Sequence, residues 1–155
     1  MITAVDTNIL LDVLVPGEPD AEFSEQALAE SLRAGPIVIS EPVYAELAGR
    51  FSPREDLDGF LEDTGIRLQP SGAEALYLAC RTWREYLRRR PDSLVCPSCG
   101  TSQDVHCARC GTGLRPRQDV VADFLIGAHA AVHADRLLTR DRGYYRSYFP
   151  RLQLA

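Results

Sequence analysis

Four carboxylates stand where a parallel sheet could gather them. Asp6 follows the apolar run "ITAV", Glu46 lies in "PVYAELAGRF", Asp123 in "VVADFLIGAHA", and Asp141 closes "RLLTRD". Carboxylates crowded together repel, and their pKa values rise unless a cation neutralises them. Mg²⁺ or Mn²⁺ takes oxygen ligands, keeps several waters, and can clamp a phosphate while a water is activated beside it. The chemistry such a cluster serves is in-line hydrolysis of a phosphodiester. Any one of these acids, taken alone, reads more readily as a solvated cap or an ion-pair partner than as a metal ligand.

A second cluster is "CPSCGTSQDVHCARCG", which spaces Cys96, Cys99, Cys107 and Cys110 as C-x2-C-x7-C-x2-C. Each C-x-x-C-G turn aims two thiolates at one point, and two turns make a tetrahedral four-cysteine site for a structural Zn²⁺. Two disulfides are the alternative, and His106 could replace one cysteine. His129 and His133 have the i, i+4 spacing of metal ligands. With no catalytic Glu or third ligand nearby, helix packing is the simpler reading.

The elements that must position these groups follow from periodicity. "ITAV", "IVIS", "GIRLQP" and "RLLT" read as strands. Between them, 20–34, the stretch from Pro42, 54–63, the long segment opened by Ser71 to Glu74, and "QDVVADFLIGAHAAVHA" read as helices. Ser71 and Glu74 have capping-box spacing. Leu76, Cys80, Trp83 and Leu87 make an apolar stripe that predicts the buried face of the long helix. Strands alternating with helices imply an α/β fold with a mainly parallel central sheet. In such sheets ligands bind outside the carboxyl ends of the strands, which is where Asp6 and Asp141 fall.

The net charge of −5 hides an asymmetry: residues 1–76 hold 15 acids and four arginines, residues 77–155 seven acids and 13 arginines. The second half can therefore face a polyanion, although a solvated basic helix over 81–90 accounts equally well for any one arginine. No apolar run reaches the roughly 20 residues of a membrane helix. The opening residues lack a basic, then apolar, signal pattern, which predicts a cytoplasmic protein and no membrane partner.

In order along the chain, "AVDTNILLDVL", "ISEPVYAEL", "VADFLIGAHA" and "LLTRDRGYYRSYF" resemble the PIN-domain ribonucleases, and among them the VapC-type toxins of bacterial and archaeal toxin–antitoxin pairs. The resemblance spans nearly the whole chain outside the Cys-rich loop. It implies a three-layer α/β/α fold over 1–155, with 94–115 as an inserted zinc-binding loop. It implies RNA cleavage with Mg²⁺ or Mn²⁺ at Asp6, Glu46, Asp123 and Asp141, leaving a 5′-phosphate and a 3′-hydroxyl. An antitoxin protein and a second copy of the chain are the implied partners. The further acid that many members carry after T-R-D is missing from "RGYYR", so a second metal position is not expected to be strong.

Asn8 and Thr139 match polar family positions beside the carboxylates and are expected to support them. Asp119, one helical turn before Asp123, is either a fifth acid or a helix N-terminal residue. Asp12 reads as surface. Arg140 and Arg142 beside Asp141, and Arg109, Arg115 and Arg117 in or after the loop, are candidates for RNA phosphate. The loop itself reads as an RNA contact, a docking surface or a staple. Two other functions fit the same residues: a ribosomal-RNA processing nuclease, and a non-catalytic zinc-containing module that binds nucleic acid or protein.

Overall fold

A computed structural model describes residues 1–89, 93–95, 99, 101–114 and 121–155. The chain opens with β1 (Thr3–Val5) and turns at once into α1 (Thr7–Leu14). α2 (Ala21–Ala34), β2 (Ile37–Ile39), α3 (Glu41–Ala48), α4 (Arg54–Thr64) and β3 (Ile66–Leu68) follow. α5 (Gly72–Arg89) leads to two short hairpins, β4 (Leu94–Val95) with β5 (Ser102–Gln103), and β6 (Val105–His106) with β7 (Gly113–Leu114). α6 (Val121–His133), β8 (Arg136–Leu138), α7 (Arg142–Tyr148) and β9 (Gln153–Leu154) complete it.

The central sheet runs β3-β2-β1-β8-β9 and is parallel throughout. Every residue of β1 and β2 is buried. Successive strand side chains point to opposite faces, so both faces are covered, as expected for a three-layer α/β/α arrangement. Ile9, Ile37, Ile39, Leu47, Phe124 and Leu137 lie in this core without measurable exposure. No helix among the described residues is long and apolar enough to cross a membrane.

Three local expectations are corrected. The buried face of α5 is Ala75, Ala79 and Thr82, one residue off the Leu76 stripe; Leu76 is 50% exposed and Cys80 is exposed. Small side chains let α5 pack closely along α6, an extensive contact in the fold, and pairing with a neighbour outweighs raw hydrophobicity. The Ser71 hydroxyl is spent on the Glu41 carboxylate at 2.5 Å. Asp12, read as surface, is 2% exposed and accepts hydrogen bonds from Ser24 Oγ at 2.6 Å and Arg140 Nη2 at 2.7 Å. Among the elements that escaped the sequence reading are α7 and β9, each too short to show a period.

Candidate active site

β1 and β8 are neighbours in register, Val5 opposite Leu138, and the Asp6 N–H donates to Leu138 O at 3.0 Å. From β1 the sheet extends through β2 and β3 on one side and through β8 and β9 on the other. The strand order therefore reverses beside β1, and the crevice outside the carboxyl ends at such a switch is where α/β sheets bind ligands. Asp6 and Thr139, the first residues after β1 and β8, border it.

Asp6 is buried and held from three sides. Its Oδ1 accepts from Thr7 N at 2.7 Å; its Oδ2 accepts from Asn8 Nδ2 at 2.8 Å and Thr139 Oγ1 at 2.7 Å. Thr139 Oγ1 in turn accepts from Asp141 N at 3.0 Å, and Asn8 Oδ1 from Arg140 N at 3.3 Å. Asn8 and Thr139 thus tie the end of β1 to the loop that carries Asp141. Burial raises the Asp6 pKa, Thr139 and Thr7 hold it back, and Glu46 pushes it up again. Oδ1 keeps lone-pair capacity beyond its one bond.

Asp123 sits in the first turn of α6. Burial pushes its carboxyl up to about 6, helped by the charges of Asp6, Glu46 and Asp141. The four predicted acids, drawn from β1, α3, α6 and the start of α7, therefore share one electrostatic neighbourhood. Glu46 and Asp141 are its exposed members; Asp141 also caps α7, accepting from Tyr144 N at 3.3 Å.

Two tyrosines that sequence reasoning passed over back this cluster. The hydroxyls of Tyr144 and Tyr145 are buried without a close hydrogen-bond partner among the described residues, and that of Tyr145 lies near enough to Asp6 to help hold the carboxyl's pKa down. Burial raises both phenols far above their usual value, followed by Asp6 and Asp123 at Tyr145 and by Asp123 at Tyr144. The signal was present as "YY", which follows T-R-D after Arg142 and Gly143.

Hard oxygen donors that repel one another suit a hard divalent cation. Among the described residues no three His, Cys, Asp or Glu side chains are placed to grip one ion. Mg²⁺ needs only one or two carboxylates, with waters completing its shell, so the donor set fits such an ion.

Other candidates fall elsewhere. Arg140, read as a phosphate contact, is clamped between Asp12 at 2.7 Å and Asp20 at 2.5 Å. Arg142 is exposed at the start of α7, and Arg109 is exposed in the second cysteine turn. Cys96, Asp119, Arg115 and Arg117 lie outside the described residues. Cys107 and Cys110 occupy the turn of the β6–β7 hairpin, where Gly111 N donates to Cys107 O at 2.8 Å with Gly111 at φ 72°. Thr112, then the Cys107 thiol, lowers the Cys110 pKa. Cys99 lies between β4 and β5, its Sγ 3.2 Å from Thr101 Oγ1.

His129 and His133 stack with ring centres 5.0 Å apart, His129 Nδ1 3.3 Å from Ser71 Oγ and His133 Nε2 2.6 Å from Ser71 O. They pack around Ser71, and among the described residues no third His, Cys, Asp or Glu is placed to share an ion with them. Glu41 joins the same group: burial works to raise its pKa, but hydrogen bonds from the Ser71 hydroxyl and N–H outweigh it.

The family model of the PIN domain matches residues 3–150. The chain belongs to the PIN domain family. PIN domains are typically nucleases and generally use divalent metal ions. Two solved structures share the fold across the full length of the chain. One is VapBC2 from Rickettsia felis bound to a DNA fragment from its promoter, at 22% identity and TM-score 0.61, with 98% of that chain covered. The other is FitAB bound to the IR36 DNA fragment, at 16% identity and TM-score 0.55, with 94% covered. No curated protein matches significantly.

Proposed function

We propose that this PIN domain is a Mg²⁺- or Mn²⁺-dependent endoribonuclease and the toxin of a toxin–antitoxin pair. The observation that carries the catalytic part is the coupling of Asp123 to Asp6, Glu46 and Asp141 at the sheet's switch point. A divalent ion held chiefly by Asp6 and Asp123, with Glu46 and Asp141 at the open rim, would supply a Lewis acid for phosphodiester hydrolysis. The chain's own part is positional. Asn8 and Thr139 fix the Asp6 carboxylate, and Tyr144 and Tyr145 close the buried side against bulk water. Hydrolysis there leaves a 5′-phosphate and a 3′-hydroxyl on the RNA.

The toxin role rests on the likeness to VapBC2 and FitAB, and it brings a small antitoxin protein as partner, pairing into a homodimer and a cytoplasmic setting. We also propose residues 94–115 as an insertion organised by a structural Zn²⁺ on Cys96, Cys99, Cys107 and Cys110. The two antiparallel hairpins and the turn geometry at Cys107–Gly111 support it.

The test is RNA cleavage by protein stripped with EDTA and reloaded with Mg²⁺ or Mn²⁺, with Asp6→Asn and Asp123→Asn in parallel. Metal-restored cleavage lost in both variants is expected. Cleavage retained by folded Asp6→Asn overturns the assignment. Elemental analysis expects one zinc per chain, lost in Cys107→Ser.

A further inference from the structure

An acidic cleft repels the polyanion it would cut, so cations outside it must hold the RNA. Of the two arginines that flank Asp141, Arg140 is already neutralised by Asp12 and Asp20, and Arg142 is exposed. A different set of arginines is available. A depression of about 330 Å³ on α5 is lined by Leu78, Arg81, Thr82, Arg84, Glu85 and Arg88. Arg81, Arg84 and Arg88 follow the i, i+3, i+7 spacing of one helix face and extend about 10 Å along it. All three are exposed, and among the described residues none is in an ion pair. The one carboxylate in the lining, Glu85, is paired with Arg89.

The arginine face is turned away from α6: at about 100° per residue, Arg81, Arg84 and Arg88 stand roughly 140–160° around the helix from Tyr86. Tyr86, on the same stretch of α5, packs its ring 5.5 Å from Phe124 and 5.7 Å from Tyr148. Phe124 follows Asp123 directly, and Tyr148 belongs to the helix capped by Asp141. The carboxyl-terminal turns of α5 are thereby fixed against the start of α6. RNA gripped by these guanidinium groups would lie on the outer face of α5, across the helix from the start of α6.

We propose that Arg81, Arg84 and Arg88 form a binding site for the phosphate backbone of single-stranded RNA. The site would hold the same RNA outside the cleft and so rests on the ribonuclease reading above. Guanidinium groups suit phosphate because their donors match its oxygens in pairs. Contacts of this kind carry little sequence information, so the site would set affinity and register while base preference is determined elsewhere.

Binding of a fluorescent single-stranded RNA of mixed sequence, measured by anisotropy in EDTA across a salt series, tests this apart from cleavage. Replacing all three arginines by alanine is expected to weaken binding at least tenfold and to flatten the log–log salt dependence by about 2, three contacts at roughly 0.7 each. The triple lysine variant should keep the slope. Thermal melting controls for folding, and Arg84→Ala alone provides a milder variant. Unchanged affinity and slope in the folded triple alanine variant overturns the site, as does a wild-type chain that binds no RNA. Cleavage is scored separately with Mn²⁺. Arginine-dependent binding without cleavage upholds the site and sinks the nuclease reading; cleavage with an unchanged KM in the triple variant does the reverse.

Discussion

The hydroxyl of Thr139 donates to Asp6 Oδ2 across 2.7 Å while accepting from the N–H of Asp141 at 3.0 Å. One side chain therefore fixes the orientation of the most buried acid of the cluster and the backbone of an exposed one.

Thr139→Val keeps the shape and removes both bonds, along with the 3.3 Å bond that the hydroxyl accepts from Asn8 Nδ2. Thr139 lowers the Asp6 pKa against burial, so the variant should move the acid limb of the cleavage pH profile upward. It should lose about 1.5–3 kcal/mol of stability, the range for a hydrogen bond to a charged group. Thr139→Ser should restore the profile, which a purely packing role for the methyl group would not predict. Cleavage rates across pH and urea melts of the three proteins decide it.

Asp12 and Arg140 form an asymmetric pair, with side chains 3% and 39% exposed. Removing Arg140 strands a buried carboxylate that keeps only Ser24, so Arg140→Ala should cost about 3 kcal/mol. Asp12→Ala should cost less, since the guanidinium retains Asp20 and water. Denaturant melts of both variants and the double variant should show a coupling of about 1 kcal/mol or more. Additive effects would mean the pair contributes nothing as a pair.

His129 is 1% exposed, and burial, with His133 nearby and Glu41 only partly opposing, pushes its pKa down to about 4. In the unfolded chain it titrates near 6.5. Between those values the unfolded state binds the extra proton, so this contribution is complete above about pH 6.5 and drains away as pH falls toward 4. At most about 3 kcal/mol is involved. His129→Asn should flatten the fall in melting temperature over that window. An unaltered pH dependence would remove His129 as the cause.

Gly127 lies where a Cβ would come within 2.4 Å of Phe149 Cε2 and 2.7 Å of Cδ2. Phe149 is buried and stacks near Phe124 and Tyr145, so it has little room to yield. Gly127→Ala should destabilise by about 1–3 kcal/mol through overpacking. Combining it with Phe149→Leu should recover part of that loss in thermal melts.

The sequence was most legible where local pattern and placement agree. Strand-end logic located Asp6 and Asp141, and helical periodicity placed Asp123 and Glu46 on elements that the sheet then gathers. It failed where a side chain's partner lies far along the chain. Asp12 looked like a surface charge because its partner, Arg140, is 128 residues away. The same pairing made Arg140 look like a free cation. On α5 the apolar stripe misled because Ala75 and Ala79 are chosen for close approach to α6, a property no hydrophobicity pattern records. Tyr144 and Tyr145 were passed over because an aromatic pair reads as core, and only the assembled crevice shows their hydroxyls facing carboxylates.

The strand order governs how the molecule can be assembled in time. β1 is the middle of the finished sheet, yet its β8 neighbour arrives more than 130 residues later. Until β8 docks, β1 is a bare edge with unpaired N–H and C=O groups, open to pairing with other chains. Thr139 is supplied by the same late event, so the Asp6 carboxylate has no fixed orientation before it. Sealing the sheet and arming the crevice are a single step, and a chain that folds slowly through it is aggregation-prone for as long as it is inactive.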